Sequence, residues 1–140
     1  MLVRFSFSFH ASMPSEVKVI SRLVEWLMPF IQESHCVAGD EAAVELALLE
    51  ALSNAVVHGN QMDTKKLVHL QCRCEQGKGA VIIVTDEGRG FDANAVPNPM
   101  SIGRLLAEHG RGIHLMKLAM DEVSFARGGT EVRMWKRPGK

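Results

Sequence analysis

The stretch from Ala80 to Asp92 constrains this chain most. An unbroken apolar run, Ala-Val-Ile-Ile-Val, reaches Thr85 and turns at once into Asp86-Glu-Gly88-Arg-Gly90-Phe-Asp92. A run this short with no polar face reads as a fully buried strand. A carboxylate and two glycines at its end suit a tight turn where backbone approaches a neighbour closely. Leu67 to Glu75 reads as the preceding strand, and Gln76-Gly77-Lys78-Gly79 as the hairpin turn between the two.

The other elements arrange themselves around this hairpin. Val3, Phe5, Phe7 and Phe9 alternate with Arg4, Ser6 and Ser8, which predicts a half-buried strand over about 2–10 rather than the continuous apolar core of a signal peptide. A helix is expected from about Pro14 to Ser34, with Pro14 in its first turn, Pro29 near its end, and Val17, Ile20, Leu23, Val24, Leu27 and Ile31 as its apolar stripe. Asp40 is the expected N-cap of a second helix that runs to about His58 and stops at Gly59-Asn60. Its stripe is Val44, Leu48, Ala51, Leu52 and Ala55, which leaves Glu50 and Asn54 at the border of the stripe.

Downstream, Pro97, Asn98 and Pro99 suggest a lid that continues through Ile102 to Glu108. His109-Gly110-Arg111-Gly112 then opens a helix expected over Ile113 to Met120, an arrangement that presents free backbone N–H groups to phosphate. Strands at Glu122 to Ala126 and Glu131 to Trp135 close the chain around the turn Arg127-Gly128-Gly129-Thr130. Hairpins rather than helical crossovers join the later strands. The expectation is therefore an α+β, two-layer sandwich: a mixed, largely antiparallel sheet with helices on one face.

Composition narrows the function classes. A chain of 140 residues fits one domain, and its sixteen basic and sixteen acidic residues leave no net field to favour nucleic acid or anionic lipid. No other stretch is expected to reach the roughly 20 apolar residues of a membrane span. Cys36, Cys72 and Cys74, an odd number, suggest no disulfide framework and therefore a reducing compartment, the cytoplasm. Cys72 and Cys74 read as ordinary half-buried strand cysteines. The eight methionines read as core filling, as do Met116 and Met120 at helical spacing.

A Glu-x-x-x-Asn pair alone is usually surface chemistry, and Asp-x-Gly-x-Gly alone is often only a turn. Here both occur, in order, ahead of a glycine-flanked helix start. Together they suggest a nucleotide site.

These segments resemble the ATPase superfamily of gyrase, histidine kinases and mismatch-repair proteins, which has the Bergerat fold. Glu50-x-x-x-Asn54 resembles its N box, Asp86-x-Gly88-x-Gly90 its G1 box, Gly110-x-Gly112 its G2 box, and Gly129-Thr130 the short element beside the adenine pocket. Glu50-Ala-Leu-Ser-Asn-Ala-Val-Val-His58, the short lid and Met120-Asp-Glu-Val-Ser-Phe125 are similar to the anti-sigma-factor serine kinase group, a likeness that runs from about Phe5 to Trp135.

The resemblance implies ATP and Mg²⁺ as ligands. Asp86 would accept a hydrogen bond from the adenine amino group, where guanine presents a carbonyl. Gly88 and Gly90 would pass beneath the base, and Thr130 would bond to Asp86 or to a water beside the ring. Asn54 would offer Mg²⁺ a side-chain oxygen, and Gly110, Arg111 and Gly112 would wrap the phosphates, with Arg111 or Arg104 adding charge. Glu50 would be the general base that takes the proton of an attacking serine or threonine hydroxyl.

By the same resemblance the partners are a sigma factor and an anti-sigma-factor antagonist that carries the hydroxyl, with a homodimer as the implied assembly and neither nucleic acid nor membrane bound directly. Two other readings stay open. One is a non-catalytic regulator in which ATP only orders a docking surface. The other is the ATPase module of a histidine kinase acting on a separate partner.

Overall fold

The described residues form one five-stranded sheet in the order β1-β2-β3-β5-β4, with β1 Ser6–Pro14, β2 Leu67–Glu75, β3 Gly79–Thr85, β4 Glu122–Ala126 and β5 Glu131–Lys136. The structure, a computed structural model, describes residues 5–90 and 103–139, the stretch 103–110 by its backbone alone. The lid expected around Pro97 to Pro99, the strand residues 2–4 and the side chain of Arg104 lie outside what is described.

Every pairing in the sheet is antiparallel, so the expectation of a mixed sheet is corrected to an antiparallel one. The connections explain two of these four pairings. β2–β3 and β4–β5 are joined by short turns, and a chain that reverses in a few residues can only pair antiparallel.

Alternation along the strands separates two faces. Met13, Val68, Leu70, Cys72, Cys74, Ala80, Ile82, Val84, Val132 and Met134 are buried toward the helices, while His10, Ser12, His69, Gln71 and Arg133 lie on the open face. The helices α1 (Val17–Ser34), α2 (Glu41–Asn54) and α3 (Gly103–Ala119) cover the buried face, α1 over β1 and β2, α2 over β3, and α3 beside β4. The α+β sandwich with one helical layer is as the sequence implied.

Local signals were shifted at the start of the chain. β1 continues to Pro14, paired opposite Leu67, so Pro14 closes a strand rather than opening a helix. An edge strand tolerates this, because no neighbour needs the missing N–H. α1 starts at Val17, which stays exposed, while Ile20, Val24, Leu27, Met28 and Ile31 form its buried stripe. Asp40 precedes α2, yet its side chain makes no capping bond.

The stripe expected on α2 is buried throughout, together with Ala47. α2 runs on into a π-helical turn, Ala55–Gly59, closed by the Asn60 N–H donating to Ala55 O at 2.8 Å. Such wide turns concentrate at functional sites. Glu41–Gly59 is long and apolar enough to cross a membrane by length and composition, against the expectation that no such stretch exists. Its apolar stripe is the core of this domain, packed between α1, α3 and β3.

The cysteines depart from expectation. Cys36, in the turn after α1, is joined to Cys74 on β2 in a disulfide with Cα atoms 5.9 Å apart. Spacing of 38 residues hid this pair, because the helix end and the strand meet only in the folded chain. Cys72 is free and buried, and burial pushes its thiol up to about 12.

Candidate functional site

Glu50 and Asn54 are four residues apart on α2 and share a face that turns toward α3. Gly112 of α3 sits directly against them. A Cβ at position 112 would lie 3.1 Å from Glu50 Oε2, 3.1 Å from Asn54 Oδ1 and 2.8 Å from Asn54 Nδ2. Only glycine lets the two helices meet so closely here.

Asn54 Nδ2 is buried and has no hydrogen-bond partner among the described residues. Such an orphan costs about 1–3 kcal/mol, so a fold that keeps it holds a polar group in reserve for something else. A neutral amide beside a half-buried carboxylate is a donor set that suits a hard cation and its anionic ligand.

Asp86 lies at the other end of the candidate site, at the exit of β3. Three successive backbone N–H groups fix its turn: Asp86 N donates to Thr130 O at 2.8 Å, Glu87 N to Asn60 Oδ1 at 2.8 Å, and Gly88 N to Asp86 Oδ1 at 2.8 Å. Burial pushes the Asp86 carboxyl above the ordinary carboxylate range, opposed by the Gly88 N–H and the nearby Lys66 charge.

Glycines make room around this carboxylate. A Cβ on Gly59 would run into the Asp86 side chain, and one on Gly88 would run into Gly59 O. Gly90 has φ 77° and faces Gly128 O, so it needs glycine for both backbone and space. Gly88 and Gly90 thus occupy the close-turn positions expected of them.

Thr130 meets Asp86 differently from expectation. Its carbonyl accepts the Asp86 N–H, while its hydroxyl donates to Arg127 O at 2.9 Å. The turn Arg127–Gly129 folds back on itself and captures the hydroxyl locally.

The G2 glycines are also corrected. Gly110, Arg111 and Gly112 lie inside α3 rather than at its start, so in this conformation their N–H groups belong to the helix. Helix-favouring neighbours such as Leu115, Met116 and Lys117 outweigh about 1 kcal/mol per glycine. Arg111 is exposed on the helix surface.

Sequence reasoning missed Gly59 and Asn60 as parts of the site. Gly59-Asn60 carries a helix-stop signal, which masked their contacts with the turn after β3. A cavity of about 390 Å³ lies elsewhere, on the open sheet face, lined by residues including Ser12, His69, Thr85, Glu131 and Arg133. Its charged groups are internally satisfied: Arg133 donates to Glu131 at 2.9 Å, and Ser12 bonds His69 at 2.8 Å.

Two comparisons bear on this geometry. Residues 13–136 match the family model described as histidine kinase-like ATPase domain, a span that includes Glu50, Asn54, Asp86, Gly112 and Thr130. The chain is also similar to a protein named anti-sigma F factor from Clostridium novyi (strain NT). The two are 32% identical over 99 residues, which cover 67% of this chain and 68% of the relative.

Proposed function

The chain belongs to the histidine kinase-like ATPase domain family, in its anti-sigma-factor group, and on that premise we propose an ATP-dependent anti-sigma regulator that is also a protein serine/threonine kinase. It binds a sigma factor and phosphorylates the antagonist of that regulation. The observation that carries the reading is the convergence of the Glu50 carboxylate and the unpaired Asn54 amide on Gly112.

Asp86 selects adenine. One of its oxygens already accepts the Gly88 N–H, which aims the carboxylate and leaves acceptor capacity for the exocyclic amino group. Gly88, Gly90 and Thr130 shape the floor and edge of the base site. Asn54 holds Mg²⁺ through its amide oxygen. When bound, Mg²⁺ and ATP supply the transferable phosphoryl group and the charge that neutralises it.

Glu50 would accept the proton of the partner's serine or threonine hydroxyl as that oxygen bonds to the γ-phosphorus of ATP, while the bond from that phosphorus to the β–γ bridging oxygen breaks and ADP leaves with its electron pair. Gly110, Arg111 and Gly112 contact the phosphates after the first turns of α3 loosen. Two glycines three positions or fewer apart make this the weakest part of the helix, which supports the step.

The second reading is a non-catalytic regulator in which ATP only orders a docking surface. The Cys36–Cys74 disulfide removes the cysteine argument for a reducing compartment, so we propose a homodimer without direct contact to nucleic acid or membrane and no compartment. β1 is an edge strand, and Phe5, Trp26 and Phe30 are exposed beside it, which supports the dimer.

The test is transfer of labelled phosphate from Mg²⁺-ATP to an antagonist protein. Acid-stable phosphate on the partner is expected, with the rate lowered at least ~10²-fold in Glu50→Ala while ATP stays bound. Sigma-factor binding without any transfer selects the non-catalytic reading, and an acid-labile product selects histidine as the acceptor.

A further inference from the structure

Asn60 has 1% of its surface exposed, and each of its polar groups has a partner. Its side-chain NH₂ donates to Ser15 Oγ and to Leu67 O, both at 2.9 Å, and its side-chain oxygen accepts the Glu87 N–H at 2.8 Å. Its backbone N–H closes the π-helical turn at Ala55 O, and its carbonyl accepts the Asp63 N–H at 3.0 Å. Ser15 in turn donates to Lys66 O at 2.7 Å.

One side chain therefore ties together the β1–α1 junction, the first residue of β2 and the turn after β3. Two donors and one acceptor at this reach are the inventory of an asparagine. Aspartate lacks the donors, serine lacks the reach and the second donor, and leucine would take the Asn60 partner from Ser15 Oγ, Leu67 O and the Glu87 N–H.

The bond to Glu87 N matters most, because that N–H belongs to the peptide attached directly to Asp86. With Thr130 O holding Asp86 N on one side, Asn60 holds the next peptide on the other, so the direction of the Asp86 carboxylate is set from both ends. Asn60 also follows Gly59, whose missing Cβ makes room for that carboxylate. It is six residues after Asn54, at the C-cap of the continuous helical segment that carries Asn54, so one element and its cap carry both the cation-holding amide and the clamp on the base-reading turn.

We infer that Asn60 is a positioning residue for nucleotide-base selection: it fixes the peptide after Asp86 and thereby makes the site discriminate adenine from guanine. This rests on the nucleotide reading above and names the residue that sets its specificity. Asn60 touches no ligand in this role and acts through Asp86.

The test compares ATP and GTP affinity by calorimetry on the full chain, for wild type, Asn60→Ala and Ser15→Ala, with exchange protection of the Glu87 amide followed by NMR. Asn60→Ala is expected to weaken ATP by about tenfold or more, in line with a lost buried hydrogen bond and its orphaned partner, and to bring the ATP-to-GTP ratio toward one. Glu87 protection should fall with it. Ser15→Ala removes a partner of the same amide but leaves the Glu87 bond, so it should lose stability and keep both the ratio and the protection.

An Asn60→Ala protein that folds and keeps the wild-type ATP-to-GTP ratio overturns the inference and leaves the nucleotide reading standing. Wild type that binds no ATP overturns the nucleotide reading and this inference with it. Should Asn60→Ala fail to fold, wild type decides: the Glu87 N–H and Asn60 side-chain NH₂ resonances must both move on adding ATP and hardly on adding GTP. Resonances that ignore bound ATP overturn the inference.

Discussion

Gly59 lies directly against Asp86, so close that a Cβ at position 59 would meet the carboxylate. The backbone of Gly59 is not in the left-handed region, so alanine there strains no torsion. What must move is the carboxylate. Gly59→Ala is expected to leave thermal stability within about 1 kcal/mol of wild type while weakening ATP by roughly 10- to 150-fold, the worth of a hydrogen bond to a charged group. Calorimetry and thermal melts on the same preparation check both, and unchanged affinity would place the base elsewhere.

Asp86 ties function to pH. Burial raises its pKa above the ordinary carboxylate value of about 3.9, so the folded protein takes up a proton at this group earlier than the unfolded chain does. The sign follows by linkage. Above that raised pKa the ionised group costs the fold stability, and the cost disappears as pH falls through it. Adenine binding uses the ionised form, so ATP affinity should decline as pH falls through the same raised pKa, at higher pH than for an exposed aspartate. Asp86→Asn, which loses ATP binding, should remove the Asp86 contribution to the pH dependence of stability in thermal melts and melt at or above the wild-type temperature at neutral pH.

Gly112→Ala separates helix stability from the site. Within a helix the change favours the fold by up to about 1 kcal/mol. The added methyl, however, displaces the Asn54 amide and crowds Glu50, because those side-chain ends are the atoms that yield. Mg²⁺-dependent strengthening of ATP binding should therefore fall while the melting temperature holds or rises. A variant with a full Mg²⁺ effect would remove Asn54 from the cation site.

The Cys36–Cys74 bond closes a 38-residue separation. A cross-link of that span stabilises by about 2–4 kcal/mol. Without reductant, two thiols should resist alkylation in the unfolded chain and Cys72 alone should react. Adding reductant should lower the unfolding free energy by that amount, and three reactive thiols before reduction would contradict the pairing.

The fold was legible where the pattern is local and long. The α2 stripe and the hairpin around Gln76 to Gly79 are repeated signals, each residue reinforcing the next, whereas the β3 run expected to be fully buried alternates and leaves Val81 39% exposed on the open face. Errors fell where one residue type carries two meanings. Pro14 suits a helix start and also the end of an edge strand, and only its pairing with Leu67 decides. Gly110 and Gly112 suit a helix start and also close packing inside a helix, and the contact with Glu50 and Asn54 decides for the second.

At the candidate site, the shared helix face of Glu50 and Asn54 and the turn that follows Asp86 were readable from residue type and spacing. Gly59 and Asn60 were not, because their partners lie 27 residues along the chain, and a helix-stop signal already explained them. The residue type of Thr130 leaves its hydroxyl free to reach Asp86 or a water, whereas its own turn supplies the acceptor, Arg127 O at 2.9 Å.

The most direct measurement of the central claim is calorimetric titration of the purified chain with ATP, with and without Mg²⁺, beside GTP and beside Asp86→Asn. The account predicts saturable micromolar ATP binding that Mg²⁺ strengthens, that GTP does not match and that Asp86→Asn loses. Absence of ATP binding by a folded wild-type chain, or binding that survives Asp86→Asn intact, would contradict it.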